Sequence, residues 1–278
     1  MRSIYTFVAA LMLTVTISST PAAAITHGEL DGNGHPYVGL MVFQLAEGRF
    51  RCSGALLSPT KFLTAGHCTF GVIGKVQIWF LADVDTNRCK LTGADLTPAN
   101  CAAATPNWNG YPFFGQATGT AFHHPQFDPN AFFLHDLGLV VLDKPWTTTA
   151  HGALPTLGQN TAYSNANRGS SAVYTAVGYG LQQINPAFVT QERVRMFAMP
   201  HRIQIDDGIV GDFSILLSNN AATGGTCFGD SGGPNFIGTS NVIGGVTSFG
   251  LNGTCGGTGG VYRVDEPDDL NWLATFGL

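Results

Sequence analysis

The chain has 278 residues with 13 basic against 18 acidic side chains, a net charge of −5 and only 11% charged positions. A globular protein carries about 25% charged residues, so Gly, Ser, Thr, Asn and Ala must cover much of this surface. A pI of 5.8 does not fit the basic stripe of a nucleic-acid-binding protein, and 44% hydrophobic residues do not fit a disordered chain. With 44% hydrophobic residues, 19 Phe, 36 Gly and 14 Pro, the chain can bury a sizeable core. Its turns come too often for long helices, which points to an all-β fold.

Residues 1–24 read as a secretory signal peptide. Met1-Arg2 precedes an apolar stretch from Ile4 to Ile17, and Pro21-Ala22-Ala23-Ala24 supplies the small residues of a cleavage site. The stretch is shorter than the roughly 20 residues that span a bilayer, no later segment approaches that length, and no cysteine stands at the cleavage site to carry a lipid. The expectation is a secreted, extracellular protein with neither a membrane nor a nucleic acid as partner. With no oligomerisation signature visible, a monomer is the default.

Strand-like runs bounded by Gly, Pro or Asn follow in order at 37–44, 54–57, 76–81, 137–142, 172–179, 194–199, 214–217 and 242–249. Such regular short strands belong to barrels or sandwiches. Between them, 83–120 reads as an elaborated surface loop and 146–169 as a connector between two halves. The one convincing helix is C-terminal, about 267–276, where Pro267, Asp268 and Asp269 occupy a first turn and Leu270 and Leu273 share a face.

Six cysteines stand at 52, 68, 89, 101, 227 and 255. An even number in a secreted chain reads as disulfides, whose pairing the sequence alone leaves open. Metal ligation competes, but no Cys-x-x-Cys or His-Glu-x-x-His spacing occurs. His123, His124 and Asp128 read as loop residues before a strand, and Asp83, Asp85 and Asp95 as solvated acids with calcium binding as the weaker alternative. No metal and no cofactor is expected.

Chemistry concentrates at Gly229-Asp230-Ser231-Gly232-Gly233-Pro234. Its glycines permit a tight turn that projects Ser231 and leaves amides free to converge. A nucleophile elbow of the esterase type needs its acid and then its histidine after the serine, and all eight histidines precede Ser231. Upstream, Leu63-Thr64-Ala65-Gly66-His67-Cys68 ends an apolar strand, and His135-Asp136-Leu137-Gly138-Leu139-Val140 opens another. These three segments resemble, in the order His, Asp, Ser, the trypsin/chymotrypsin family of serine endopeptidases. The likeness also takes in Cys52-Ser53-Gly54-Ala55-Leu56-Leu57, the stretch from His124-Pro125 to Asp136, Ser248-Phe249-Gly250 and Gly260-Val261-Tyr262.

The resemblance implies two packed six-stranded antiparallel β-barrels, about 25–145 and 160–265, with a short C-terminal helix. It implies a catalytic triad of His67, Asp136 and Ser231, and an oxyanion hole from the Gly229 and Ser231 amides. Disulfides Cys52–Cys68 and Cys227–Cys255 are expected by the same resemblance, with Cys89–Cys101 remaining. Cleavage before Ile25 would free an ammonium to pair with Asp230, with no separate propeptide, so activity should fade at strongly alkaline pH. The pocket would be formed by Gly225, Thr226, Phe228, Ser248, Phe249, Gly250 and Gly260. With Gly225 at its base instead of a carboxylate, large apolar residues are the expected preference. Implied partners are protein or peptide substrates and protein protease inhibitors. The competing readings are a silent peptidase-like binding module and a secreted esterase. Asn252-Gly253-Thr254 is a glycosylation acceptor if the host glycosylates secreted proteins.

Overall fold

The computed structural model describes residues 25–185, 188–206, 211 and 213–278, so the signal-peptide expectation for 1–24 lies outside the described residues. The first half closes into a six-stranded antiparallel barrel. Its strands Val38–Leu45, Gly48–Ser58, Lys61–Thr64, Gly138–Leu142, Ala117–His123 and Val76–Trp79 follow one another around the wall. Closure comes from Val38–Leu45, which pairs with Gly48–Ser58 along one edge and with Val76–Trp79 along the other, so that Met41 faces both Cys52 and Ile78. The barrel is filled by Leu40, Leu56, Phe62, Ile78, Leu139 and their neighbours, all essentially inaccessible to water.

The second half is a curled eight-stranded antiparallel sheet. Its six central strands are Met196–Ala198, Tyr174–Gly178, Pro234–Ile237, Ile243–Gly250, Gly257–Arg263 and Ser214–Asn219. Glu29–Leu30 and Arg202–Ile205 extend its two edges. The expected all-β class, with paired β-units and a short terminal helix, is thus what the chain adopts, with two strands more than six in the second unit. Helix Pro267–Ala274 starts as expected, with Pro at its first position and Asp268 and Asp269 in its first turn, and it returns to the first half to bury Leu273.

Arg195 joins the halves from a fully buried position. Its guanidinium donates to Asp31 at 2.9 Å, to the carbonyls of Val38, Phe80 and Gly32, and to the Tyr179 hydroxyl. All three nitrogens of a buried cation thereby find acceptors, one of them charged.

Three segments differ from the sequence expectation. The connector contains helix Gln159–Ala166, whose inward face is polar: Asn160 donates its side-chain amide to Gly244 O and to Asp265. A helix that buries asparagine and serine shows no apolar period. Strand Ala117–His123 was hidden for a similar reason, being largely Ala, Thr and Gly. The 83–120 loop holds helix Pro98–Ala104, capped by the Thr97 hydroxyl and pinned by Cys89–Cys101. The other disulfides are Cys52–Cys68 and Cys227–Cys255. Among the described residues no helix is long and apolar enough to cross a membrane.

Candidate active site

His67 sits in the single turn Gly66–Cys68 that follows strand Lys61–Thr64, fixed from behind by the Cys52–Cys68 disulfide. Asp136 lies two residues before strand Gly138–Leu142, which pairs with that same strand, so the barrel ladder itself brings the two together. The Asp136 carboxylate is wholly buried. Its Oδ1 accepts from the backbone N–H of His67 at 2.8 Å, and its two oxygens lie 3.0 and 2.9 Å from His67 Nδ1. Ser248 Oγ donates to Oδ2 at 2.5 Å. Burial pushes the imidazole pKa down, but the charge and hydrogen bond of Asp136 outweigh it, and the net displacement is upward from 6.5. Ser248 thus reaches the carboxylate behind the histidine as well as the pocket wall, a role the sequence motif did not reveal.

Ser231 stands on a turn between Cys227 and strand Pro234–Ile237. The turn is closed by Asp230 N to Cys227 O and Gly233 N to Asp230 O, and it is tied to the first barrel by Ser53 N to Ser231 O. Gly229 and Gly232 have φ of 98° and 75°, a region where a side chain is strained. At Gly232 a Cβ would also lie 2.0 Å from Thr64 Oγ1. Among the described residues no acceptor takes the Gly229 or Ser231 amide. Beneath the turn, the fully buried Asp230 accepts from the Gly180 and Cys227 amides at 2.7 and 2.9 Å. Burial raises its pKa to about 7, with those amides and the charge of Arg51 pulling the other way.

His67 and Ser231 line one pocket of about 340 Å³, together with Thr226, Phe228, Ser248, Phe249 and Gly250. Two expected wall residues are not on its surface. The space above Gly225 is filled by the Asn219 side chain, and the space above Gly260 by the Phe249 ring, so Asn219 and the ring form the wall that the two glycines were expected to form. Asn219 accepts from Thr26 Oγ1 at 2.6 Å and donates to Thr226 O at 2.8 Å, which ties the pocket base to the N-terminal segment. Among the described residues no carboxylate lines this pocket. Ile25 is buried against Ala176, Met196 and Ala198. Asp230 has no ion-pair partner among the described residues.

Among the described residues, metal-type donors gather in two places. Cys52 and Cys68 beside His67 are spent in a disulfide. His124, His135, Asp268 and Asp269 lie within 4.8 Å of one another, but the two imidazoles are stacked, 11° from parallel at 5.1 Å, so their in-plane lone pairs do not converge. His135 Nδ1 instead faces Asp268 Oδ2 at 3.1 Å, linking the terminal helix to the residue before Asp136. His123, expected in a loop, ends strand Ala117–His123, and His124 lies in the loop that follows, 2% exposed. In the long loop, Asp83 accepts from the turn amides of Asp85 and Thr86, and Asp85 pairs with Arg88 and Arg193. These acids form no common donor set among the described residues.

Comparison with known proteins places this geometry in a family. The chain is 28% identical over 209 residues to brachyurin from Leptuca pugilator, covering 73% of this chain and 77% of that protein. The structure superposes on a solved structure described as HL collagenase with a TM-score of 0.67 at 21% identity, covering 91% of this chain and 99% of the other. It also superposes on human heparin binding protein with a TM-score of 0.60 at 20% identity, covering 90% and 96%. At these identities the two structures speak for the fold alone. The family model described as Trypsin matches residues 29–267, from the edge strand of the second sheet to the first residue of the terminal helix, and the chain therefore belongs to the trypsin family of serine endopeptidases.

Proposed function

We propose that this chain is a secreted endopeptidase that cleaves after large apolar residues, with Ser231 as nucleophile, His67 as base and Asp136 as the group that orients the base. The observation that carries the reading is the chain of contacts from Ser248 through Asp136 to His67, which ends in the pocket that Ser231 shares. His67 takes the hydroxyl proton as Ser231 Oγ attacks the scissile carbonyl carbon. Asp136 accepts the other ring N–H, fixing the tautomer and stabilising the imidazolium. The unclaimed Gly229 and Ser231 amides receive the developing oxyanion. His67 then returns the proton to the departing amine, and water repeats the sequence on the acyl-enzyme.

Specificity follows from the neutral pocket. An Arg or Lys side chain there would be desolvated without a counter-charge, which is costly, whereas the Phe249 ring and open Gly250 suit an aromatic or long aliphatic group. Activation follows from position. The segment after Ile25 is held to the pocket, with Gly225 N donating to Thr26 O at 3.0 Å. Signal-peptide cleavage after Ala24 supplies an ammonium for the buried Asp230 carboxyl, which burial otherwise disfavours in its ionised form. In this reading residues 25–278 form one peptidase unit, monomeric and open to protein inhibitors.

The test is labelling of the secreted protein with a fluorophosphonate, together with N-terminal sequencing and a cleavage profile. Expected are a start at Ile25, label on Ser231 lost in Ser231→Ala, and faster cleavage of Phe or Leu peptides than of Arg or Glu peptides. A protein that neither takes the label nor cleaves casein would be a binding module, and one that turns over esters but no peptides an esterase.

A further inference from the structure

In a chain of net charge −5 with nine arginines, four of those nine, Arg49, Arg51, Arg88 and Arg193, line a single groove of about 560 Å³ with no Asp or Glu in its wall. Phe228 and Gly229 form its border with the pocket that holds Ser231; Phe228 lines both. The groove therefore begins at the proposed oxyanion turn and runs away from the acyl-side pocket, along strand Gly48–Ser58.

Its cations are incompletely matched. Asp85, outside the wall, serves both Arg88 and Arg193. Arg193 Nε donates to the Tyr111 hydroxyl at 2.9 Å, and Arg49 lies 4.4 Å over the Phe113 ring. The Arg51 side chain has no hydrogen bond or ion pair among the described residues, and its Nη1 is shut off from solvent without a partner. Its Nε would lie 3.2 Å from a Cβ placed on Gly229, so the guanidinium rests on the turn itself. Asp230, across that turn, spends its oxygens on the Gly180 and Cys227 amides. A guanidinium nitrogen shut off from water without an acceptor is costly, and a planar fork of donors matches a carboxylate.

We propose that this groove is the leaving-group subsite and that it selects substrates bearing Asp or Glu two or three residues after the cleaved bond. A peptide whose acyl-side residue fills the pocket and whose carbonyl lies at Ser231 must leave across Gly229. An extended chain advances about 3.4 Å per residue, so its second and third residues lie over the arginines. This rests on the catalytic reading above and adds to it which sequences past the bond are cut.

The experiment uses the mature enzyme and quenched peptides that share a Phe acyl side and carry Asp, Asn or Lys at the second and third leaving-side positions. A Phe p-nitroanilide, which has no leaving-side peptide, serves as reference. Expected is a kcat/KM about tenfold higher for Asp than for Asn at low salt, with Lys lowest. The ratio should shrink in about 0.5 M NaCl, where screening acts over a few ångströms. Arg193→Gln should bring the Asp/Asn ratio towards one. Arg49→Gln, a change at an exposed rim position that loses only the stacking on Phe113, should lower it, and Arg49→Lys should restore part of it. Arg168→Gln, the same charge change at an exposed site elsewhere, should leave it intact. Equal cleavage of the three peptides by an enzyme that turns over the p-nitroanilide overturns the subsite and leaves the peptidase reading standing. Failure to cleave the p-nitroanilide or to take label at Ser231 overturns both.

Discussion

Replacing Gly232 by Ala adds one methyl group at the tightest point of the serine turn. The residue has φ of 75°, and the new carbon would lie 2.0 Å from Thr64 Oγ1, 2.7 Å from Ala65 N and 2.7 Å from Ser53 O. Two of these are backbone atoms of the barrel, so the clash cannot be relieved by a rotamer change. The left-handed conformation costs about 1–2 kcal/mol, and overpacking about 1–3 kcal/mol more, so a total near 3 kcal/mol is expected. For a domain of this size that lowers Tm by about 10 °C. Relief requires the turn to move away from Thr64, whose hydroxyl donates to Ser53 O at 2.8 Å, and hence Ser231 to move relative to His67 three residues beyond. A displacement near 1 Å at reacting atoms costs about 100-fold in rate. The assay pairs calorimetry with kcat/KM on a Phe p-nitroanilide, and Gly232→Ala/Thr64→Ala, which removes one of the three clashes, should recover part of both losses. A single variant whose Tm falls by less than about 2 °C and whose kcat/KM stays within about threefold would refute the reasoning.

Arg195→Met takes the guanidinium from the buried Asp31 carboxylate, leaving it His35 alone, and removes a donor from three carbonyls, so chemical denaturation should show a loss of about 3 kcal/mol; a loss below about 1 kcal/mol would show the network to be dispensable. Ser248→Ala removes a donor from the buried Asp136, a hydrogen bond to charge worth about 1.5–3 kcal/mol. The expected result is at least a tenfold fall in kcat/KM, about what 1.4 kcal/mol represents, with the acid limb of the pH profile moved further up as His67 carries more of the compensation. In the unmodified enzyme, kcat/KM should fall as pH drops through a value above 6.5, because the neutral imidazole is the base and its folded pKa is raised. The stability linked to that raised pKa has the opposite sign: it is fully present below pH 6.5 and lost as pH rises through the folded value. Burial of Asp31 would raise its pKa, but the hydrogen bonds and charge of His35 and the hydrogen bond from Arg195 carry it below 3.8. Its contribution is therefore present above pH 3.8 and is lost as pH falls through the lower folded value, measurable as a drop in Tm in acid.

Much of this protein is written in local sequence. Chemistry-bearing residues lie within short motifs, so His67, Asp136 and Ser231 can be found by reading along the chain. The terminal helix likewise announces itself through Pro267 and its acids, because capping depends on neighbours in sequence. The hidden elements are those whose buried faces are polar or small: helix Gln159–Ala166 buries Asn160 against Asp265, a partner 105 residues away, and no period in hydrophobicity records it. The same holds for the pocket wall. Gly225 and Gly260 stand at the expected positions in the motif, but what fills the space above them is Asn219 and the Phe249 ring, chosen by strand register across the second sheet. Sequence by itself determined the family and the strand-rich class and named the residues proposed to react, since these rest on motifs and composition. Only the tertiary structure decided that Arg195 locks the halves together and that four arginines from three segments meet beside Gly229, because charges far apart in the chain become neighbours only when the sheets close.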